Sequence, residues 1–105
     1  MSSNKSFSTE TANRYALALY DLASESSELE AVEKNINELL IIYNTSDDLK
    51  SFIKNPTQSQ SNQLEVLNKL SDEMSLSKII KNFLSILITK RRIFFLNTIF
   101  LNFLS

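Results

Sequence analysis

The sequence predicts an all-α fold, a six-helix bundle forming one domain over residues 1–105, and three observations carry that expectation. Glycine is absent and proline occurs once, so the positive-φ turns of tight hairpins have no inexpensive source. Sixteen Leu and ten Ile recur at helical rather than alternating spacing. No segment shows the period of two that a half-buried strand requires. A chain of this length buries roughly two thirds of its surface in a single core.

Helical periodicity divides the chain into six segments. The first spans about residues 9–23, where Ala12, Ala16, Leu19, Tyr20 and Ala23 form one arc assigned to the core. A Ser/Glu-rich break at residues 24–28 ends it. The second, residues 29–43, places Val32, Ile36, Leu39, Leu40 and Tyr43 on one stripe. Ser46 followed by Asp47 and Asp48 is an N-cap with first-turn acids, opening a short third helix that stops at Asn55-Pro56. The polar run TQSQSNQ leads into a fourth, residues 61–70, with Leu64, Leu67 and Leu70 inward. Ser75 is read as the cap of a fifth helix over residues 76–89. A sixth follows over residues 93–104.

The last 23 residues, FLSILITKRRIFFLNTIFLNFLS, have the length of a membrane span but not its energetics. At about +2.5 to +3.5 kcal/mol each, Lys90, Arg91 and Arg92 near the middle cost about 8–10 kcal/mol, while 14 Leu, Ile and Phe return about 4–8. The expected form is two helices joined at a basic turn, with no insertion into a membrane. The N-terminus MSSNKSFSTETANR lacks an apolar stretch and is not read as a secretory signal, nor as a mitochondrial presequence.

Composition excludes several functions. Without Gly there is no P-loop, Rossmann fingerprint or nucleophile elbow; without His or Cys the commonest general base and metal ligands are missing. No catalytic residue, metal or cofactor is expected. Glu25, Glu28, Glu30 and Glu33 read as a solvated face. Net charge is −1, but residues 1–50 carry 4 basic against 9 acidic side chains (net −5) and residues 51–105 carry 7 against 3 (net +4). Either end offers a partner a field to read. A nucleic-acid partner is disfavoured by the sequence pI of about 5.4 and by the lack of a basic stripe interleaved with aromatics.

Two helices carry more apolar surface than one core contact needs. Beside its core arc the first has a shoulder of Tyr15, Ala18 and Leu22, with Leu17 stranded near the water face. The fifth has a core arc of Leu76, Ile80, Phe83, Leu84 and Leu87 and a shoulder of Ile79, Asn82 and Ile86. Set side by side, the shoulders form a groove for an amphipathic partner helix; otherwise other helices of the domain cover them. The sixth helix, polar only at Asn97, Thr98 and Asn102, is either sandwiched on all sides or leans on further chain.

NRYALALYDLA, SDDLKSFIKNP and SLSKIIKNFLSILITKRRIFFLNTIFLNFL, in that order and spacing, resemble the delta subunit family of the proton-translocating ATP synthase, called the oligomycin-sensitivity-conferring protein in mitochondria. The resemblance covers the whole chain. The family's turn commonly reads Asn-Gly-Arg, whereas here Thr89, Lys90 and Arg91 precede the matching Arg92, and the family's C-terminal half has no counterpart. It implies a six-helix N-terminal domain with a non-catalytic stator role. Its helices one and five would hold the N-terminal amphipathic helix of an alpha subunit through Tyr15, Ala18, Leu19, Leu22, Ile79, Asn82, Phe83 and Ile86. The missing half would reach the b subunits of the peripheral stalk. The resemblance places the protein on the cytoplasmic face of a bacterial inner membrane, held there through the complex. A peripheral membrane-surface role or a general helix-binding adaptor is the alternative.

Overall fold

A computed structural model describes the backbone of residues 3–105 and the side chains of residues 9–105. The reading of the extreme N-terminus as neither signal nor presequence therefore falls largely outside the described side chains. Six α-helices and no strand occur among the described residues: α1 (Ser3–Glu25), α2 (Leu29–Thr45), α3 (Asp47–Lys54), α4 (Gln60–Glu73), α5 (Lys78–Thr89) and α6 (Leu96–Leu104). A single 3-10 turn, Ile93–Phe95, precedes α6. None of these helices is long and apolar enough to cross a membrane.

The chain solves its lack of glycine in one repeated way. Helices α1, α4 and α5 each end in a left-handed residue, Ser27 at φ 58°, Ser75 at φ 55° and Arg91 at φ 60°. Each is followed by the same pair of hydrogen bonds. The amide of Glu28 donates to Ala23 and that of Ser27 to Ser24; Leu76 donates to Ser71 and Ser75 to Asp72; Arg92 donates to Leu87 and Arg91 to Ile88. These are Schellman motifs, whose left-handed position is normally glycine because a Cβ is crowded there. Arg91 thus takes a left-handed position of the kind glycine usually fills, and the turn keeps its reversal with an arginine.

Ser75 is therefore not the cap of α5, as its sequence context suggested. Ser77 caps it, with φ −63° and ψ 156°, its hydroxyl accepting from the amide of Ile80 at 3.3 Å. Elsewhere the serine caps fall close to expectation. Ser46 alone separates α2 from α3 and accepts from Leu49 at 3.2 Å. Asn55 is extended at ψ 112°, as a residue before proline must be.

The core is one cluster drawn from every helix. Ala12, Ala16 and Ala23 let α1 approach α6 closely, and this is the most extensive helix pair. From α6, Leu96, Ile99, Phe100 and Phe103 point inward, and Phe100 stacks on Phe83 of α5 at 6.3 Å between ring centroids. The predicted stripe of α2 is buried throughout. Tyr20 is corrected: it lies 43% exposed at the margin of the α1–α6 contact, its ring tilted against Phe103 at 5.6 Å. A tyrosine at such an edge buries its ring and keeps its hydroxyl wet. Helix α6 is not enclosed on every side, since Leu101 remains exposed.

Two amide side chains lock the fifth helix at its ends. Asn35, buried within α2, accepts the Ser77 amide through Oδ1 at 2.8 Å. At the other end Gln60 of α4 donates through Nε2 to the carbonyls of Thr89 at 3.1 Å and Ile88 at 3.3 Å, the latter already accepting from the Arg91 amide.

Candidate partner-binding groove

The eight residues expected to line a groove divide into floor, wall and rim. Leu19 of α1 and Phe83 of α5 are buried and belong to the core. Tyr15 and Ile79 are partly buried and packed against it. Ala18, Leu22, Asn82 and Ile86 are exposed, with Leu22 at 47% and Ile86 at 48%. One direct contact ties the two helices along this seam: the Tyr15 ring meets Phe83 edge-on at 6.4 Å and 70°, a favoured aromatic geometry.

The register explains why these residues share a seam. Tyr15, Ala18 and Leu22 are spaced three and four apart on α1, and Ile79, Asn82 and Ile86 likewise on α5, so each set occupies one helix face. The smallest side chain, Ala18, stands between two large ones on its face. Exposed apolar groups flank the Tyr15–Phe83 contact, and Asn82 contributes an amide able both to donate and to accept.

Sequence reasoning missed three residues beside this seam. Thr11, Arg14 and Arg92 line a hollow of 270 Å³ together with Tyr15 and Ala18. Thr11 lies four residues before Tyr15 and seven before Ala18, so the helical period itself signalled it. Arg92 enters from the turn after α5, which no periodicity of α1 reveals. The hollow therefore joins apolar surface to two guanidinium groups, each able to fork onto a carboxylate.

The polar groups of the seam are Tyr15, Asn82, Thr11 and the two arginines. The displaced titration in the described chain is that of Tyr43, whose phenol burial pushes above its ordinary value, on α2 outside the groove set. Glu25, Glu28, Glu30 and Glu33 are all exposed, and among the described residues no group of three His, Cys, Asp or Glu side chains is placed to hold a metal ion. The arrangement suits binding of an apolar helix face, with cationic groups beside it.

Comparison with known proteins places the chain. The sequence model described as ATP synthase delta (OSCP) subunit matches residues 11–105. The ATP synthase subunit delta of Pelagibacter ubique is 42% identical over 103 residues, covering 98% of this chain and 56% of that protein. Its counterpart in a Ruegeria species is 35% identical over 94 residues, covering 90% and 50%. Among solved structures, a chain of the mitochondrial ATP synthase hexamer of Toxoplasma gondii superposes with a TM-score of 0.84 at 25% identity, over 88% of this chain and 51% of that one. The chain thus spans about half the length of the curated relatives it matches. Family match, relatives and fold agree, and the protein belongs to the ATP synthase delta (OSCP) subunit family.

Proposed function

We propose that this domain is a static coupling element of an ATP synthase and that the seam between α1 and α5 holds the N-terminal amphipathic helix of an alpha subunit. The observation that supports the reading best is the apolar surface left beside the Tyr15–Phe83 contact: Leu22 and Ile86 are each about half exposed although their helices pack together at the core. An amphipathic helix laid lengthwise buries such side chains against its own apolar stripe. Patches of this kind on a small domain mark interaction surfaces. Arg14 and Arg92 would meet acidic residues on the partner's polar face.

In this reading the domain sits on the catalytic hexamer, a C-terminal half beyond this chain contacts the b subunits of the peripheral stalk, and the linkage keeps the hexamer from turning with the rotor. The protein would then work at the cytoplasmic face of the membrane, held there by the complex rather than by insertion. Titration of the isotope-labelled chain with a synthetic copy of the alpha subunit's N-terminal helix tests the reading. Amide signals of residues 11–22 and 79–92 should move in saturable fashion. Signals that stay fixed there while the peptide is helical and in excess would refute it.

A further inference from the structure

The turn after α5 carries three adjacent cations, and the fold treats one of them differently. Lys90 and Arg91 are exposed, whereas Arg92 is partly buried and lines the 270 Å³ hollow with Thr11, Arg14, Tyr15 and Ala18 of α1. Its guanidinium also reaches back to the turn itself, Nη1 donating to the Lys90 carbonyl at 3.4 Å. The place of this side chain in the hollow therefore follows the backbone of the turn.

That backbone has little preference of its own for the shape it takes. Arg91 holds φ 60°, where a Cβ is crowded, and the reversal rests on two backbone bonds, Arg92 to Leu87 at 2.7 Å and Arg91 to Ile88 at 3.0 Å. A further tie comes from a different helix. Gln60, partly buried at the start of α4, donates through Nε2 to the carbonyls of Ile88 and Thr89, 28 and 29 residues away along the chain. The Ile88 carbonyl thus receives both the Arg91 amide and the Gln60 side chain, so the glutamine grips the bond that sets the left-handed residue. Ile88 and Ile93 are buried on either side of the turn, and the path between them is left to these hydrogen bonds.

We propose that Gln60 is a positioning residue for the α1–α5 seam: its grip on the end of α5 holds Arg92 in the hollow beside Tyr15 and Ala18, where the guanidinium meets a carboxylate of the partner helix. The inference rests on the seam being the partner site. It adds that α4, which contributes no residue to the lining of the hollow, sets the affinity of the seam from behind.

The first test uses the free, isotope-labelled chain. Gln60→Ala leaves a good helix former at the start of α4, with the Ser59 cap still accepting from the Asn62 amide. It should shift the backbone signals of Arg91 and Arg92 and, across the hollow, those of Tyr15 and Ala18. Signals of Tyr15 and Ala18 that stay fixed would overturn the proposal, whether or not the seam binds a helix. The second test is calorimetric titration with the synthetic alpha-subunit helix. Arg92→Gln should weaken binding about tenfold and Gln60→Ala about three- to tenfold, while the double variant should lose no more than Arg92→Gln alone. Parent-like affinity of Gln60→Ala, or losses that multiply in the double variant, would overturn the proposal, the latter because Gln60 would then act otherwise than through Arg92. Absence of binding by the parent chain would instead refute the partner site, and the Tyr15 and Ala18 shifts of the free chain then decide the positioning of Arg92.

Discussion

Replacing Ser75 with glycine should make the protein more stable. Ser75 holds φ 55° at the junction of α4 and α5, a conformation that brings its Cβ against the following carbonyl at about 1–2 kcal/mol. The side chain is exposed and makes no hydrogen bond among the described residues, so nothing is lost with it. The backbone bonds of Ser75 to Asp72 and Leu76 to Ser71 need no side chain. Against this, glycine has more freedom to lose on folding, which offsets about 0.5–1 kcal/mol. The net effect is a stabilisation of up to about 1.5 kcal/mol, or up to roughly 10 °C in Tm for a domain of this size. Ser27→Gly at the end of α1 should behave alike, and the double variant should add, because the two motifs share no bonding partner. Urea unfolding followed by circular dichroism measures it, with Ser75→Val as the contrast, which should destabilise because a β-branched residue resists positive φ. Loss of stability in both glycine variants would refute the left-handed assignment.

Asn35→Ala should lower stability by about 1–2 kcal/mol in urea unfolding, since it leaves the part-buried Ser77 amide without its acceptor. The Tyr43 phenol, raised by burial, makes stability depend on alkaline pH with a definite sign. Below about pH 10 the phenol is protonated in both states and the contribution is whole; above it the unfolded phenol ionises first, so stability falls until the native phenol ionises too. Tyr43→Phe should flatten that part of the decline in paired thermal melts, and an unchanged slope would contradict the assignment. Tyr15→Asp should weaken folding as well as partner binding, because its ring packs on Phe83.

The helices were legible in the sequence wherever one apolar stripe faced one core. Val32, Ile36, Leu39, Leu40 and Tyr43 on α2 and Ile80, Phe83, Leu84 and Leu87 on α5 are buried as their spacing demands, and Ser46 announces α3 through its first-turn acids. What the sequence concealed depends on distant partners. Ser75 and Ser77 are two serines two residues apart at the same helix start, and only the Schellman bonds back into α4 separate the left-handed one from the cap. Tyr20 shares an arc with Leu19 and Ala23 but lies where α6 ends its cover. Asn35 and Gln63 look like surface amides in sequence; one is buried by its bond to Ser77 and the other by the walls of a cavity. The shoulder residues were visible as surplus apolar surface, whereas Thr11, Arg14 and Arg92 join them only in three dimensions.

The central claim is that the surface of the α1–α5 seam serves a partner helix rather than the fold, and one paired measurement addresses it. Leu22→Asp and Ile86→Asp alter side chains about half exposed in the free domain, on opposite walls of the seam. Calorimetric titration with the alpha-subunit helix and thermal melts of the same samples separate binding from folding. The account predicts that each variant loses at least about tenfold in affinity, a hot-spot effect of about 1.4 kcal/mol or more, with Tm within a few degrees of the parent. Parent-like affinity in both variants would contradict it, as would a collapse of Tm showing that these side chains hold the domain together.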